Sequence, residues 1–469
     1  MVEYKLIPGL SDKPMLKFKS GNYKSKYALM SLYPYEMPNK NNFVVISLQD
    51  HGISLINNEI DKFLTVDNKS FPFNSTSINK FDDFFNSKLN FTYVTCKEIE
   101  LKSVASKYPN SIILIIHGGI GASPNNGRVS DEIYYLSKIN AITNSSRLQY
   151  ISHDHLIKYN NYIKFNLWTQ LIAKCDGTPW IIDNSTLQFI DNDTIILGIA
   201  FSIVNGTIMY GITHFIDINN MNQEVTLKYI GRPAGRGSLY LKTEELINIL
   251  QQGNEILSSH KNRDLGPYGN NSYSRDNKIN GKRKLKLFIY KTSPLHPEEK
   301  KAIELIIANP QMLNYGFIEV THIHIKSPNY GIPRLFDPDN IGTNFQYMNK
   351  QGTSISIIPD NNTNIPGFRF QGELIIGTTG TFIRGNGIAG VKGTPKPLFL
   401  SIHSTIADPF NIIKNQVMAL TEMDWEYTGE SYREPFIIKY ARRMGTLLSY
   451  LPNPNQSNFK SNIDIRDIM

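Results

Sequence analysis

The sequence predicts an α/β protein built as two units in one chain, and three observations carry that expectation. From Asn42 to Lys174, short apolar runs of strand length alternate with helical stretches, the pattern of a parallel sheet covered on both faces. After Pro179, three strand-like runs follow one another with only Asn-Gly and Asn-Asn breaks before alternation resumes, which predicts a mixed sheet. The 469 residues, 41% hydrophobic and 19% charged, suit two or three globular domains at about 150 residues each. The same composition excludes collagen-like, disulfide-stapled and wholly disordered classes.

Residues 1–40 read as a polar segment punctuated by Pro8, Pro14, Pro34 and Pro38, with a turn at Tyr33-Pro34-Tyr35. Then come a strand at 43–48, helical stretches at 53–64 and 80–88, a strand at 91–96 and a buried strand at 111–117. Helices are expected at about 130–142 and 158–175, the second stopped by Asp176-Gly177. The meander occupies 194–203, 207–217 and 224–230. A helix at 242–258, a Gly/Asn/Ser-rich stretch from Ser258 to Lys286, a strand at 285–291, a helix opening at Pro297-Glu298 and a strand at 316–325 complete the readable part.

Lys+Arg 49 against Asp+Glu 41 gives a net +8, which fits a polyanionic partner without requiring one. Most of it lies in one place. Between Ser258 and Lys286, eight basic residues, Lys282, Arg283 and Lys284 among them, face only Asp264 and Asp276, a net +6. That stretch is either a solvated loop or an arm that tracks nucleic-acid phosphates. Cys96 and Cys175 are too few and too far apart for a zinc site, and a reducing interior is the default expectation. The N-terminus lacks the apolar region of a signal peptide and no apolar run approaches a membrane span, so a cytoplasmic protein is expected.

Several motifs bear on chemistry. His117-Gly118-Gly119-Ile120-Gly121 follows a strand, but the third glycine of a dinucleotide fingerprint is missing and Pro124 obstructs a helix there. A surface turn is the simpler reading. His153-Asp154-His155 and His322-Ile323-His324 place paired imidazoles at strand spacing, either two ligands of a metal site or ordinary strand histidines. Between 131 and 180, Tyr134 and Lys138 share a helix face, Gln149 follows on the next strand, and Asn166, Gln170 and Lys174 line one side of the next helix. Two ammonium groups, an amide and a tyrosine ring could converge on one phosphate and its base, or simply form solvated helix faces.

The order and spacing of Tyr134, Lys138, Gln149, Gln170 and Lys174, ending in AKCDGTPW, resemble the MID domain of Argonaute proteins. In that family, residues of these types hold the 5′ phosphate of a guide. Gln170 departs from the lysine found in many relatives. A neutral hydrogen bond is worth about 0.5–1.5 kcal/mol against about 1.5–3 for one to a charged group. Gly393-Thr394-Pro395-Lys396-Pro397-Leu398, Ala419–Trp425 and Pro435–Ala441 resemble the closing elements of a PIWI domain. KPMLKF and the Tyr33-Pro34-Tyr35 turn are similar to the start of short prokaryotic Argonautes.

The resemblance implies a Rossmann-like MID domain at 41–180 and a ribonuclease H-like PIWI domain at 181–469, after an N-terminal segment at 1–40. It places the PIWI carboxylates at Ala200, Thr292 and Arg442. None of these can replace a carboxylate as a Mg²⁺ ligand, so a slicer site without activity is expected and the chain is not expected to be an enzyme. Asp191, Asp193 and Asp217 are the candidates to rescue it. The implied function is guide-dependent binding in prokaryotic immunity. A short 5′-phosphorylated guide, RNA by expectation, recognises complementary invader DNA, and an APAZ-containing partner with an effector brings about abortive infection. Mg²⁺ at the guide phosphate, aided by the Met469 carboxylate, is the implied cofactor, and none is expected for catalysis. The alternatives are an active guide-directed endonuclease and a nucleotide-binding α/β enzyme using Gly118–Gly121.

Overall fold

The computed structural model describes residues 2–7, 14–48, 53–66, 72–73, 78–118, 129–157, 161–183, 193–204, 207–218, 222–233, 239–264, 278–279, 282–326, 353–359, 368–378, 397–426, 434–451 and 463–469. The chain divides into two units that interleave along the sequence. One consists of 15–183, 423–429 and 446–469, and the other of 1–14, 184–422 and 430–445. The internal boundary lies within a few residues of Pro179. The ends differ from a contiguous cut at 40/41 and 180/181, because Val2–Ile7 pairs antiparallel with Ser354–Pro359 and the last residues return to the first half of the sequence.

In the unit around 15–183, Asn42–Ser47, Asn90–Thr95, Ile112–His117 and Arg147–Ser152 form a fully parallel sheet. Asn42–Ser47 and Ile112–His117 lie at its centre and are apolar almost throughout because both faces are covered. Val44, Ile46, Ile113 and Ile115 pack with Val104, Ala105 and Ala141. Elsewhere Trp168 of helix Asn161–Lys174 gathers Phe73, Phe81 and Phe84 and donates to the Phe63 carbonyl. Only Phe81–Phe84 is helical within the expected helix 80–88, as one 3₁₀ turn; its phenylalanines are spent on the Trp168 cluster. Leu16–Phe18 and Gly21–Tyr23, in the stretch read as irregular, form a small sheet with Ile181–Ile182.

His153–Ile157 is a short helix, not a strand, so His153 and His155 do not share a strand face. His153 is buried against Glu59 at 2.8 Å while His155 is exposed. The strand ends at Ser152, and its final residue pairs with His117.

The other unit has the predicted mixed sheet. Thr194–Val204, Thr207–Ile218 and Asn222–Pro233 form the antiparallel meander, and Lys282–Lys291 and Phe317–Lys326 add parallel strands beside Thr194–Val204. This is the ribonuclease H-like arrangement. Leu398–Ser404, Phe370–Ile376, Ser354–Pro359 and Val2–Ile7 continue it antiparallel. Helices Thr243–Asp264 and Pro297–Ala308 cover one face over Ile195, Leu197, Leu287 and Ile289. Helix Phe436–Leu448 crosses the opposite face, where Gly198 and Gly211 let it approach: a Cβ at Gly198 would stand 2.6 Å from the Ile437 carbonyl oxygen, and one at Gly211 would overlap that of Ala441.

The basic stretch is not one long loop. Its start lies in helix Thr243–Asp264, and Lys278–Ile279 pairs antiparallel with Lys282–Lys291. Lys282 and Arg283 are therefore strand residues, and Lys284 pairs with Glu319 at 2.8 Å beneath the Phe317 ring. Residues 265–277, Gly119–Pro124, Asp191 and 393–396 lie outside the described residues.

Candidate functional site

The five residues singled out between 134 and 174 sit on three neighbouring elements. Helix Asp131–Thr143 starts at Ser130, whose hydroxyl accepts from the Ile133 amide at 3.3 Å, and its first turn carries Asp131 and Glu132. One turn apart on it, the Lys138 ammonium lies 5.0 Å from the centre of the Tyr134 ring. Tyr134 leans on Tyr150 at 4.9 Å, and the Tyr150 hydroxyl meets Ser137 at 2.7 Å, so strand and helix share one network. Burial pushes the Tyr150 phenol well up, which keeps it neutral.

Helix Asn161–Lys174 brings the second lysine. It ends in a Schellman turn, with Asp176 donating to Ala173 and Gly177 to Ile172. Asp176, not the glycine, takes the left-handed conformation at φ 64°, which a short polar side chain tolerates. Gly177 is needed for a different reason: a Cβ there would meet the Ile172 carbonyl oxygen at 2.8 Å.

Lys138 and Lys174 converge on one point. Lys138 Nζ donates to the main-chain oxygens of Ile468 at 2.9 Å and Met469 at 2.7 Å, and Lys174 Nζ donates to Met469 at 2.5 Å. They are 4% and 0% exposed. Burial, and then the neighbouring Lys138 charge, hold Lys174 well below the ordinary lysine range. A buried pair of like charges of this kind is relieved by an anion.

The two glutamines are placed differently. Gln149 donates to the Tyr150 carbonyl at 3.1 Å, and its Oε1 is buried with no hydrogen-bond partner among the described residues. Gln170 donates to the Glu426 carbonyl at 3.2 Å and so fastens the returning segment 423–429. Trp425 does the same from the other side, donating to the Trp180 carbonyl at 3.1 Å.

Sequence reasoning missed Arg147. It is buried, and its guanidinium reaches Asp467 at 2.8 Å, Asp464 at 3.5 Å, Asp176 by a short ion pair and the Lys174 carbonyl at 2.8 Å. Burial opposes its charge, but Asp464, Asp467 and Asp176 outweigh that and raise its affinity for the proton. Asp467 is itself pushed up, by burial first and then by Asp464. A lone arginine opening an apolar strand is the one local signal; partners more than 300 residues away leave none.

In the other unit, Ala200 is fully buried on the face shared with Gly198, the one helix Phe436–Leu448 crosses. Ile199 pairs with Lys291, and Thr292 donates from its amide to the Ile199 carbonyl at 3.2 Å, so Thr292, just past the end of Lys282–Lys291, neighbours Ala200 within Thr194–Val204. Arg442 is on that helix, ion-paired with Glu434 at 2.8 Å. Asp193 lies seven residues before Ala200, about 23 Å along the strand. Asp217 stands beside the level of Thr194, about 20 Å from that of Ala200. Neither stands at the level of Ala200 and Thr292.

His322 and His324 do lie on a strand, and His403 pairs directly opposite His322 with ring centres 6.2 Å apart. Both ring nitrogens of His322 are buried without hydrogen-bond partners among the described residues. Among the described residues, no group of three or more His, Cys, Asp or Glu side chains is placed to hold a metal, and none of their helices is long and apolar enough to cross a membrane.

No protein-family model matches the chain, and no curated protein matches it. Among solved structures, it is similar to Clostridium butyricum Argonaute bound to a guide DNA with a 5′ deoxycytidine and a 19-mer target DNA, with a TM-score of 0.61 and 15% identity. The alignment covers 98% of this chain and 54% of that one, so this chain spans about half the length of the structure it matches. The shared property is the fold: a MID-like parallel domain and a ribonuclease H-like PIWI domain.

Proposed function

We propose that the chain is a short Argonaute of the MID–PIWI type that binds a guide and its complementary target without cutting. The carrying observation is the convergence of Lys138 and Lys174 on one point beside Tyr134 and the buried Gln149 oxygen. Two buried ammonium groups held together suit a 5′ phosphate, and a half-buried tyrosine suits the first base. The guide is expected to be RNA and the target DNA, read by base pairing while the protein follows the duplex backbone. Lys282 and Arg283, on strand Lys282–Lys291, are candidates to touch that backbone; Lys284 already serves Glu319.

Mg²⁺ at the guide phosphate would rest on the Met469 oxygen and the phosphate itself. That oxygen already accepts from both lysines, so the ammonium groups supply the charge in this reading. Loss of cutting is supported by Ala200 and Thr292 standing side by side where carboxylates are required. The output would then pass to an APAZ-containing partner with an effector in a cytoplasmic defence that ends in abortive infection.

Binding of matched 5′-phosphorylated and 5′-hydroxyl guides by the full chain tests this, followed by incubation with complementary target and Mg²⁺ or Mn²⁺. The phosphorylated guide should bind more tightly and the target should stay intact. Cleavage overturns the inactive site, and absence of guide binding overturns the reading. Lys138→Ala with Lys174→Ala should abolish the preference, at about 1.5–3 kcal/mol for each charged hydrogen bond. An unchanged preference would put the pocket elsewhere.

A further inference from the structure

Arg147 touches neither Tyr134, Lys138 nor Gln149 by any bond described above, yet it joins the end of the helix that carries Lys174 to the segment that ends at Met469. Its Nη1 donates to the Lys174 carbonyl at 2.8 Å, at the end of helix Asn161–Lys174. The same nitrogen pairs with Asp176 in the turn that stops that helix. Its Nε donates to Asp467 at 2.8 Å, and Nη2 lies 3.5 Å from Asp464.

Asp464 and Asp467 belong to the last segment, Ile463–Asp464 followed by the turn Ile465–Ile468. Asp464 caps that turn by accepting from the Arg466 amide at 2.9 Å. One residue beyond Ile468 is the Met469 oxygen on which both ammonium groups converge. A single planar guanidinium therefore sets the distance between the helix carrying Lys174 and the segment carrying the oxygen that orients both lysines. Arg466 reinforces it, at 3.3 Å from Asp464.

We propose that Arg147 is a positioning residue of the 5′-end pocket, holding segment 463–469 against helix Asn161–Lys174 so that the Lys138 and Lys174 ammonium groups meet one phosphate. This rests on the functional reading above. A lysine at 147 would keep one charge but lacks the fork that spans three carboxylates and a carbonyl, so charge alone should not restore the function.

The test uses the full chain with two short RNAs of one sequence, 5′-phosphorylated and 5′-hydroxyl, and reads the dissociation constant of the hydroxyl RNA divided by that of the phosphorylated RNA. In Arg147→Ala the ratio should fall about tenfold, as for loss of an outer partner that orients a ligand-binding group. Affinity for the hydroxyl RNA should stay as in the parent chain, and Arg147→Lys should recover little. Asp467→Asn, which keeps the shape and removes one charge, should lower the ratio to a smaller extent and serves if Arg147→Ala does not fold. An unchanged ratio in a folded Arg147→Ala or in Asp467→Asn overturns the role of Arg147. If Lys138→Ala with Lys174→Ala abolishes the preference in the same assay, the pocket stands without Arg147. If the lysine variant also keeps the preference, the functional reading fails and this inference with it.

Discussion

Single residues show most plainly how burial, and not residue type, sets behaviour. Lys138 and Lys174 resemble ordinary amphipathic helix residues in sequence, yet both are buried and share one oxygen. His322, His324 and His403 are the counterpart in the other unit. His322 is held well below the ordinary imidazole range by burial, with Lys291, His403 and His324 adding to it. His324 is lowered to about 4, and His214 to about 4, chiefly by burial. Lys291 beside them is ion-paired with Glu299, and Lys300 faces His403. The unfolded chain binds protons on these imidazoles below about pH 6.5, while in the folded chain His324 and His214 stay neutral down to about pH 4, with His322 and His403 shifted in the same direction. The unfolded state thus holds more protons between those values, and stability should fall as pH drops through that window. Denaturant midpoints taken between pH 7 and pH 4 should decrease, with little change from pH 7 to 8 from these groups. A flat profile would mean that the imidazoles are hydrated and not buried.

At the scale of elements, regular strands were legible because their burial is periodic or continuous. Ile112–His117 and the meander strands lie within a few residues of the predicted bounds. The helix at 80–88 failed because its phenylalanines serve an aromatic cluster, which mimics helical periodicity without supporting a helix. His153–Ile157 failed the other way, since two histidines separated by one residue cannot tell a strand end from a helix start. The crossing of helix Phe436–Leu448 over the sheet depends on two glycines whose role appears only in three dimensions. Gly211→Ala would drive a methyl into the Ala441 main chain, which cannot step aside as a side-chain tip could. A loss of about 1–3 kcal/mol is expected, as for overpacking elsewhere, read from urea denaturation. A neutral result would show that the helix stands further off.

Across the whole molecule, each unit is assembled from chain segments far apart in sequence. Residues 15–183 contain both lysines and Arg147, but their partners Asp464, Asp467 and Met469 come from the last seven residues. A fragment spanning 15–183 should therefore be markedly less stable than the same unit in the full chain, because Lys174 would lose its Met469 partner and Arg147 would lose Asp464 and Asp467 while keeping Asp176 and the Lys174 carbonyl. Thermal melting of the fragment, with and without an added peptide spanning 446–469, checks this. A fragment as stable as the parent would mean that the closing segment is only an ornament on a self-sufficient domain.

The sequence by itself determined the α/β class and the order of most strands and helices, because these follow from local periodicity and short-range spacing. Tertiary structure alone decided that Lys138 and Lys174 meet at Met469, that Arg147 ties them to the last segment, and that Gln170 holds segment 423–429. The reason is sequence separation. Contacts within a few residues leave a period in the chain, whereas a guanidinium and carboxylates some 320 residues apart are brought together only by the packing of the whole unit.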